Sequence, residues 1–109
     1  MISLLYTGAG AGIAVFLAVN QATADRRQDD IRYAYDLALA IGGDYHCGYG
    51  LDMQAVRQAI DERLASLPVT ARRTFRMMLA GVTTAQQKPD GGSCERHRLL
   101  AARLGLLGR

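Results

Sequence analysis

Met1 to Ala24 contain no charged side chain, and the thirteen basic and ten acidic residues of the 109-residue chain all lie beyond them. So complete a partition divides the chain into an apolar leader, residues 1–24, and a charged remainder, residues 25–109, that must supply its own core. Within the leader, Ile13 to Val19 is apolar on every side. It is followed by Asn20-Gln21-Ala22-Thr23-Ala24, in which Ala22 and Ala24 give the small-x-small spacing that a signal peptidase accepts. The segment reads as a cleaved export signal with Asp25 as the first mature residue. The alternative is an uncleaved membrane anchor, because Met1 to Gly12 lack the usual Lys or Arg and Gly8 with Gly12 has the GxxxG spacing of helices that touch in a bilayer. The expected location is periplasmic or secreted, or the membrane if the anchor stays; contact with a membrane is expected only through residues 1–24.

The same leader contains Thr7-Gly8-Ala9-Gly10-Ala11-Gly12-Ile13, which resembles the TGxxxGIG loop of short-chain dehydrogenases. That resemblance implies glycines that let the backbone approach a pyrophosphate at a helix N-terminus. It stops at Ala14, where that family has its last glycine. No alternation of strand and helix follows, and no tyrosine stands four residues before Lys88, the one lysine. No carboxylate pair, activated nucleophile or intact phosphate loop is visible elsewhere, so neither an enzyme nor a cofactor is expected.

From Asp25 to Arg109 the apolar residues recur at helical spacing, and no stretch alternates at period two. Asp29-Asp30 opens a first helix over 30–41, with Ile31, Ala34, Tyr35, Ala38 and Ile41 on one face and Gly42-Gly43 as its left-handed stop. Asp52 caps a second helix bearing Met53, Val56, Ile60, Leu64 and Leu67, which Pro68 ends. Thr70 caps a third with Phe75, Met78, Leu79 and Val82 inward and Arg72, Arg73 and Arg76 in water. After the loop Gln86–Ser93, Ser93 caps a fourth, with Glu95 in its first turn and Leu100, Leu104 and Leu107 on its buried edge. The expected fold is all-α: a small bundle of about four short helices, preceded by the apolar N-terminal segment.

The chain has two cysteines, Cys47 in the turn after the first helix and Cys94 at the head of the fourth. In an exported small domain such a pair is a disulfide. Closing a loop of nearly fifty residues removes about 4 kcal/mol of unfolded-chain entropy, comparable with the whole stability of a domain this size. Were the protein cytosolic, His46 beside Cys47 and His97 one helical turn after Cys94 would make Cys47, Cys94, His97 and His46 a zinc-ligand set. For the histidines the simpler reading is a partly exposed ring with no special task.

Tyr33, Tyr35, Tyr45 and Tyr49 fall close together, and aromatic residues with a polar tip suit recognition surfaces. Tyr33, Tyr45 and Tyr49 with Arg72, Arg73 and Arg76 form the candidate binding surface. A second arginine set, Arg96, Arg98 and Arg103, would join the first in one basic face if the third and fourth helices are neighbours. Partners of the expected kind are an envelope protein or an anionic surface component; a formal charge of +3 is too mild to imply nucleic acid. The function expected is that of a non-catalytic binding module of the cell envelope. As an alternative, a small helical domain with two cysteines nearly fifty residues apart resembles in layout the acid-activated periplasmic chaperones, which implies client protection at low pH.

Overall fold

The computed structural model describes residues 2–85 and 89–108, and for residues 2–24 the backbone alone. Four α-helices account for most of it: α1 (Ile2–Cys47), α2 (Met53–Gln58), α3 (Val69–Thr84) and α4 (Gly91–Arg103). α2 continues without a break into a π-helical segment, Ala59–Arg63, and a 3₁₀ turn, Leu64–Ser66. Among the described residues there is no strand, only a single antiparallel bridge between Leu51 and Leu107. The all-α bundle stapled by one disulfide is therefore the fold of the protein. The loop expected over Gln86–Ser93 falls partly on residues outside the described set.

α1 is the central element, and α3 and α4 both pack against it. Ala34, Leu37 and Ala38 are fully buried on it, and Ile41 packs beside them at the i+7 position. The expected stripe is corrected at Tyr35, which is exposed, and extended by Leu37. The helix also starts far earlier than residue 30: its backbone runs unbroken through Ala24–Asp25. The side chains of residues 2–24 lie outside the described set, and with them the expected signal or anchor. Among the described residues no helix is long and apolar enough to cross a membrane.

Gly42 and Gly43 do not stop α1; they lie inside it, buried, and the helix continues to Cys47. Their role is close approach. A Cβ at Gly42 would lie 2.7 Å from Val82 Cγ1 of α3, and one at Gly43 would lie 2.9 Å from both His97 Nδ1 of α4 and the Tyr49 hydroxyl. Two bare positions in succession thus let α1 receive α3 on one side and α4 on another, since interaxial distance follows side-chain size. The left-handed residue that releases the chain is Gly48, at φ 63°, followed by Gly50 at 83°.

The remaining ends follow local chemistry. Asp52 caps α2 as expected, accepting from the backbone N–H of Gln54 at 3.0 Å and of Ala55 at 3.4 Å. Val56 and Leu64 are buried and Ile60 half-buried, but Met53 at the start of that stripe is exposed. The π segment between Val56 and Leu64 keeps residues four apart on the inner face. Pro68, not Thr70, stands at the head of α3, where Arg72 N–H donates to its carbonyl. α4 is capped by Asp90, whose carboxylate accepts from Ser93 N–H at 2.7 Å, so Ser93 lies inside the helix and Glu95 beyond its first turn.

α4 also ends sooner than expected. Gly105, at φ 74°, donates to Ala102 O, and Leu106 donates to Ala101 O at 2.9 Å, the paired bonds of a Schellman stop. The reversal drives Leu106 fully into the core beside Ala101, while Leu100, Leu104 and Leu107 are only half-buried. Leu106 O then accepts from Asp52 N–H at 2.7 Å, tying the chain's end to the head of α2.

Candidate functional site

Cys47, the last residue of α1, and Cys94, in the first turn of α4, form a disulfide with Cα atoms 5.5 Å apart. With both sulfurs so joined, neither is a thiolate, and the alternative zinc set of Cys47, Cys94, His97 and His46 is not assembled; among the described residues no group of three or more metal-ligating side chains gathers.

His46 is otherwise engaged. Its Nε2 donates to Val82 O at 2.7 Å, satisfying one of the carbonyls that the last turn of α3 leaves without an internal partner. The ring also meets Tyr45 edge-on at 5.1 Å. His97 packs over Gly43, and its Nδ1 is buried with no hydrogen-bond partner. Sequence treated both histidines as free of structural duty; the contacts assign each to holding a neighbouring helix against α1.

The structure separates the tyrosines. Tyr49 folds back so that its hydroxyl donates to Ala40 O, and burial, with the nearby Asp44 carboxylate second, pushes its phenol up to about 12. Tyr33 lies under the guanidinium of Arg63, whose Cζ is 3.8 Å from the ring centroid, a cation–π contact that joins α1 to the π segment. Burial raises its phenol above the ordinary value while Arg63 works the other way. Of the three tyrosines in the expected binding surface Tyr45 is exposed, at 73%, while Tyr33 and Tyr49 are half-buried and make contacts within the fold.

Tyr45 stands at the rim of a groove. Two adjoining basins open along α3, one against the end of α1 and the stretch from Leu51 to Met53, the other against the π segment and 3₁₀ turn that follow α2. One, of about 540 Å³, is walled by Ile41, Leu51, Leu79 and Thr83 with Tyr45 and Met53 at the edge. The other, of about 370 Å³, is walled by Ile60, Leu64 and Phe75, with Asp61 and Arg72 at its mouth. Arg76 lines both and so marks their junction. Arg72 and Arg76 thus belong to the groove, whereas Arg73 is exposed on α3 and lines neither basin.

The joint basic face is corrected. α3 and α4 pack on α1 and not substantially on one another, and Arg98 is taken up by Glu95, one turn earlier, in the one ion pair among the described residues. That pairing holds the Glu95 carboxyl below its usual range. What sequence reasoning missed is the apolar content of the groove: Ile41, Ile60 and Leu79 read as ordinary core, and Leu51 belonged to no helical stripe. No family model, curated protein or solved structure matches the chain.

Proposed function

We propose that the protein is an exported, non-catalytic interaction module of the cell envelope that binds a partner protein in the groove along α3. The observation that carries this reading is the groove itself: an apolar floor left open beside exposed Tyr45 and Met53, with arginine at its centre. Aromatic, methionine and arginine side chains around an apolar patch are the composition of protein-binding surfaces. Export is supported by the disulfide, which persists in oxidising compartments and not in cytosol. The non-catalytic part is supported by the engagement of the best nucleophile and base candidates, Cys47, Cys94 and His46, in structural bonds.

A photo-reactive residue at Met53, on the rim, should cross-link one protein in intact producing cells, and the adduct should vanish when Ala80→Arg fills the groove. The same residue at Leu99, equally exposed on α4, should give no such adduct. Equal labelling from both positions, or none from Met53, refutes the reading. The intact mass of the chain recovered from its native cell fraction tests export: the oxidised form is two hydrogens lighter than the reduced one, and a reduced chain in cytosol overturns that part.

A further inference from the structure

The walls of the groove are helical along almost their whole length, so their backbone N–H and C=O groups are already bonded within the helices. An extended peptide laid there would find no ladder to join and would leave its own backbone groups without partners. A helix carries its backbone bonds with it. The lining of α3 from Arg72 to Thr83 extends about 16 Å at 1.5 Å per residue, room for three turns of a partner helix with apolar side chains at i, i+4 and i+7.

Charge then selects among helices. α3 carries Arg72, Arg73 and Arg76 and no acidic residue, and none of the three arginines is in an ion pair among the described residues. Two acids border the groove. Asp44, at one end, already accepts from Gly50 N–H at 2.8 Å, and Asp61, at the other, has no cation paired with it among the described residues. Arg76 stands between the two apolar basins, where a carboxylate one turn from an apolar anchor would meet it. A guanidinium in that position favours an anion and opposes a cation.

We propose that the occupant of the groove is an amphipathic helix of a partner protein, with apolar anchors in both basins and a carboxylate between them that pairs with Arg76. The inference rests on the groove being the binding site, as proposed above, and adds the chemistry of what enters it.

The test uses the full-length oxidised chain and two synthetic helical peptides of about fifteen residues, with Leu at i, i+4 and i+7 and either Glu or Lys at i+3. The readouts are fluorescence polarisation for affinity and amide shift changes for location. The Glu peptide should bind at least about tenfold more tightly than the Lys peptide, with shifts confined to groove residues such as Leu79, Ala80 and Phe75. Arg76→Glu should reverse that preference and Arg76→Gln should abolish it. Arg76 is exposed, so both variants should keep the parent's melting temperature, and Arg72→Glu gives a second charge reversal if one of them does not.

Equal affinity for the two peptides, a Glu preference that survives Arg76→Glu, or no binding of either peptide overturns the inference. The Met53 cross-link separates the two levels. A groove-dependent adduct with no preference for the Glu peptide removes only the carboxylate-bearing helix, whereas the absence of any groove-dependent adduct removes the binding site on which it rests.

Discussion

A methyl group added at Gly42 or Gly43 should destabilise the protein, while the same methyl at Gly81 should stabilise it. All three glycines are helical, and on propensity alone Gly→Ala gains about 0.5–1 kcal/mol. At Gly81 a Cβ meets nothing within 4 Å, so most of that gain should survive. At Gly42 the new carbon would sit 2.7 Å from Val82 Cγ1 and 3.0 Å from Val82 Cβ, atoms that a β-branched side chain cannot swing aside. At Gly43 it would press on His97 and on the Tyr49 hydroxyl, endangering the bond to Ala40 O. Overpacking of this kind costs about 1–3 kcal/mol, which set against the propensity gain leaves a net loss of up to about 2.5 kcal/mol. For a domain of this size each kcal/mol is worth roughly 4–8 °C in melting temperature. Thermal denaturation with the disulfide intact should therefore place Gly42→Ala and Gly43→Ala below the parent and Gly81→Ala above it. Adding Val82→Ala to Gly42→Ala should recover part of the loss by vacating the contested space. If both α1 variants melt at or above the parent, the close crossing of α1 by α3 and α4 is wrong.

Replacing Cys47 and Cys94 by Ser should cost about 4 kcal/mol from loop-closure entropy, enough to leave much of the chain unfolded at 37 °C; urea titration followed by far-UV circular dichroism measures it, and a loss under 1 kcal/mol would refute the staple's importance. The Tyr49 phenol, pushed up to about 12 in the folded protein against 10.0 when free, binds its proton more tightly folded than unfolded. Its contribution is thus fully present below about pH 10 and is lost as pH rises toward 12; Tyr49→Phe should flatten that alkaline arm of the thermal stability profile. Backbone amides of Gln58–Arg63 should exchange with deuterium faster than those of Leu37–Ile41 in α1, because Val56 and Leu64 are the only buried side chains from Met53 to Ser66. Equal protection in the two segments would contradict the loose attachment of α2.

The class of fold was legible because helical periodicity is carried by many residues at once, and an error at one position, such as Tyr35 or Met53, does not erase it. The Asp52 cap was legible for a related reason: its whole mechanism lies within three residues. The disulfide required only the pairing of two cysteines under an assumption of export. Gly42-Gly43 was misread because a glycine pair at a helix end and one at a helix crossing have the same sequence, and the deciding atoms, Val82 and His97, lie some 40 and 54 positions away. Asp90 and Ser93 are both good caps; the choice between them turns on a bond from the later residue's N–H to the earlier residue's carboxylate. The end of α4 was missed because Leu104-Gly105-Leu106-Leu107 keeps an apolar rhythm through a stop that Gly105 makes by turning left-handed. The candidate site fared less well for a physical reason. Aromatic type does not say whether a hydroxyl will be spent on a carbonyl, as at Tyr49, or a ring covered by a cation, as at Tyr33.

The open groove follows from where the fold places its ties. The disulfide joins the end of α1 to the head of α4, Leu51 bridges to Leu107, and Asp52 N–H reaches Leu106 O. α3 has its own hold on α1 through Gly42 and through His46 on Val82 O. Every one of these ties secures α1, α3, α4 or the first residues before α2; the body of α2 and its π segment is held by Val56 and Leu64, by half-buried Ala59 and Ile60, and by the stack of Arg63 on Tyr33. A stack of that type on a half-exposed ring is worth about 0.5–1 kcal/mol, far less than the staple. If a partner widens the groove, the element that yields is therefore α2, while α3 and its arginines stay fixed on the core. Arg63→Ala, which lines neither basin, should then loosen α2 without replacing a lining residue, which makes it the variant that separates access to the groove from recognition within it.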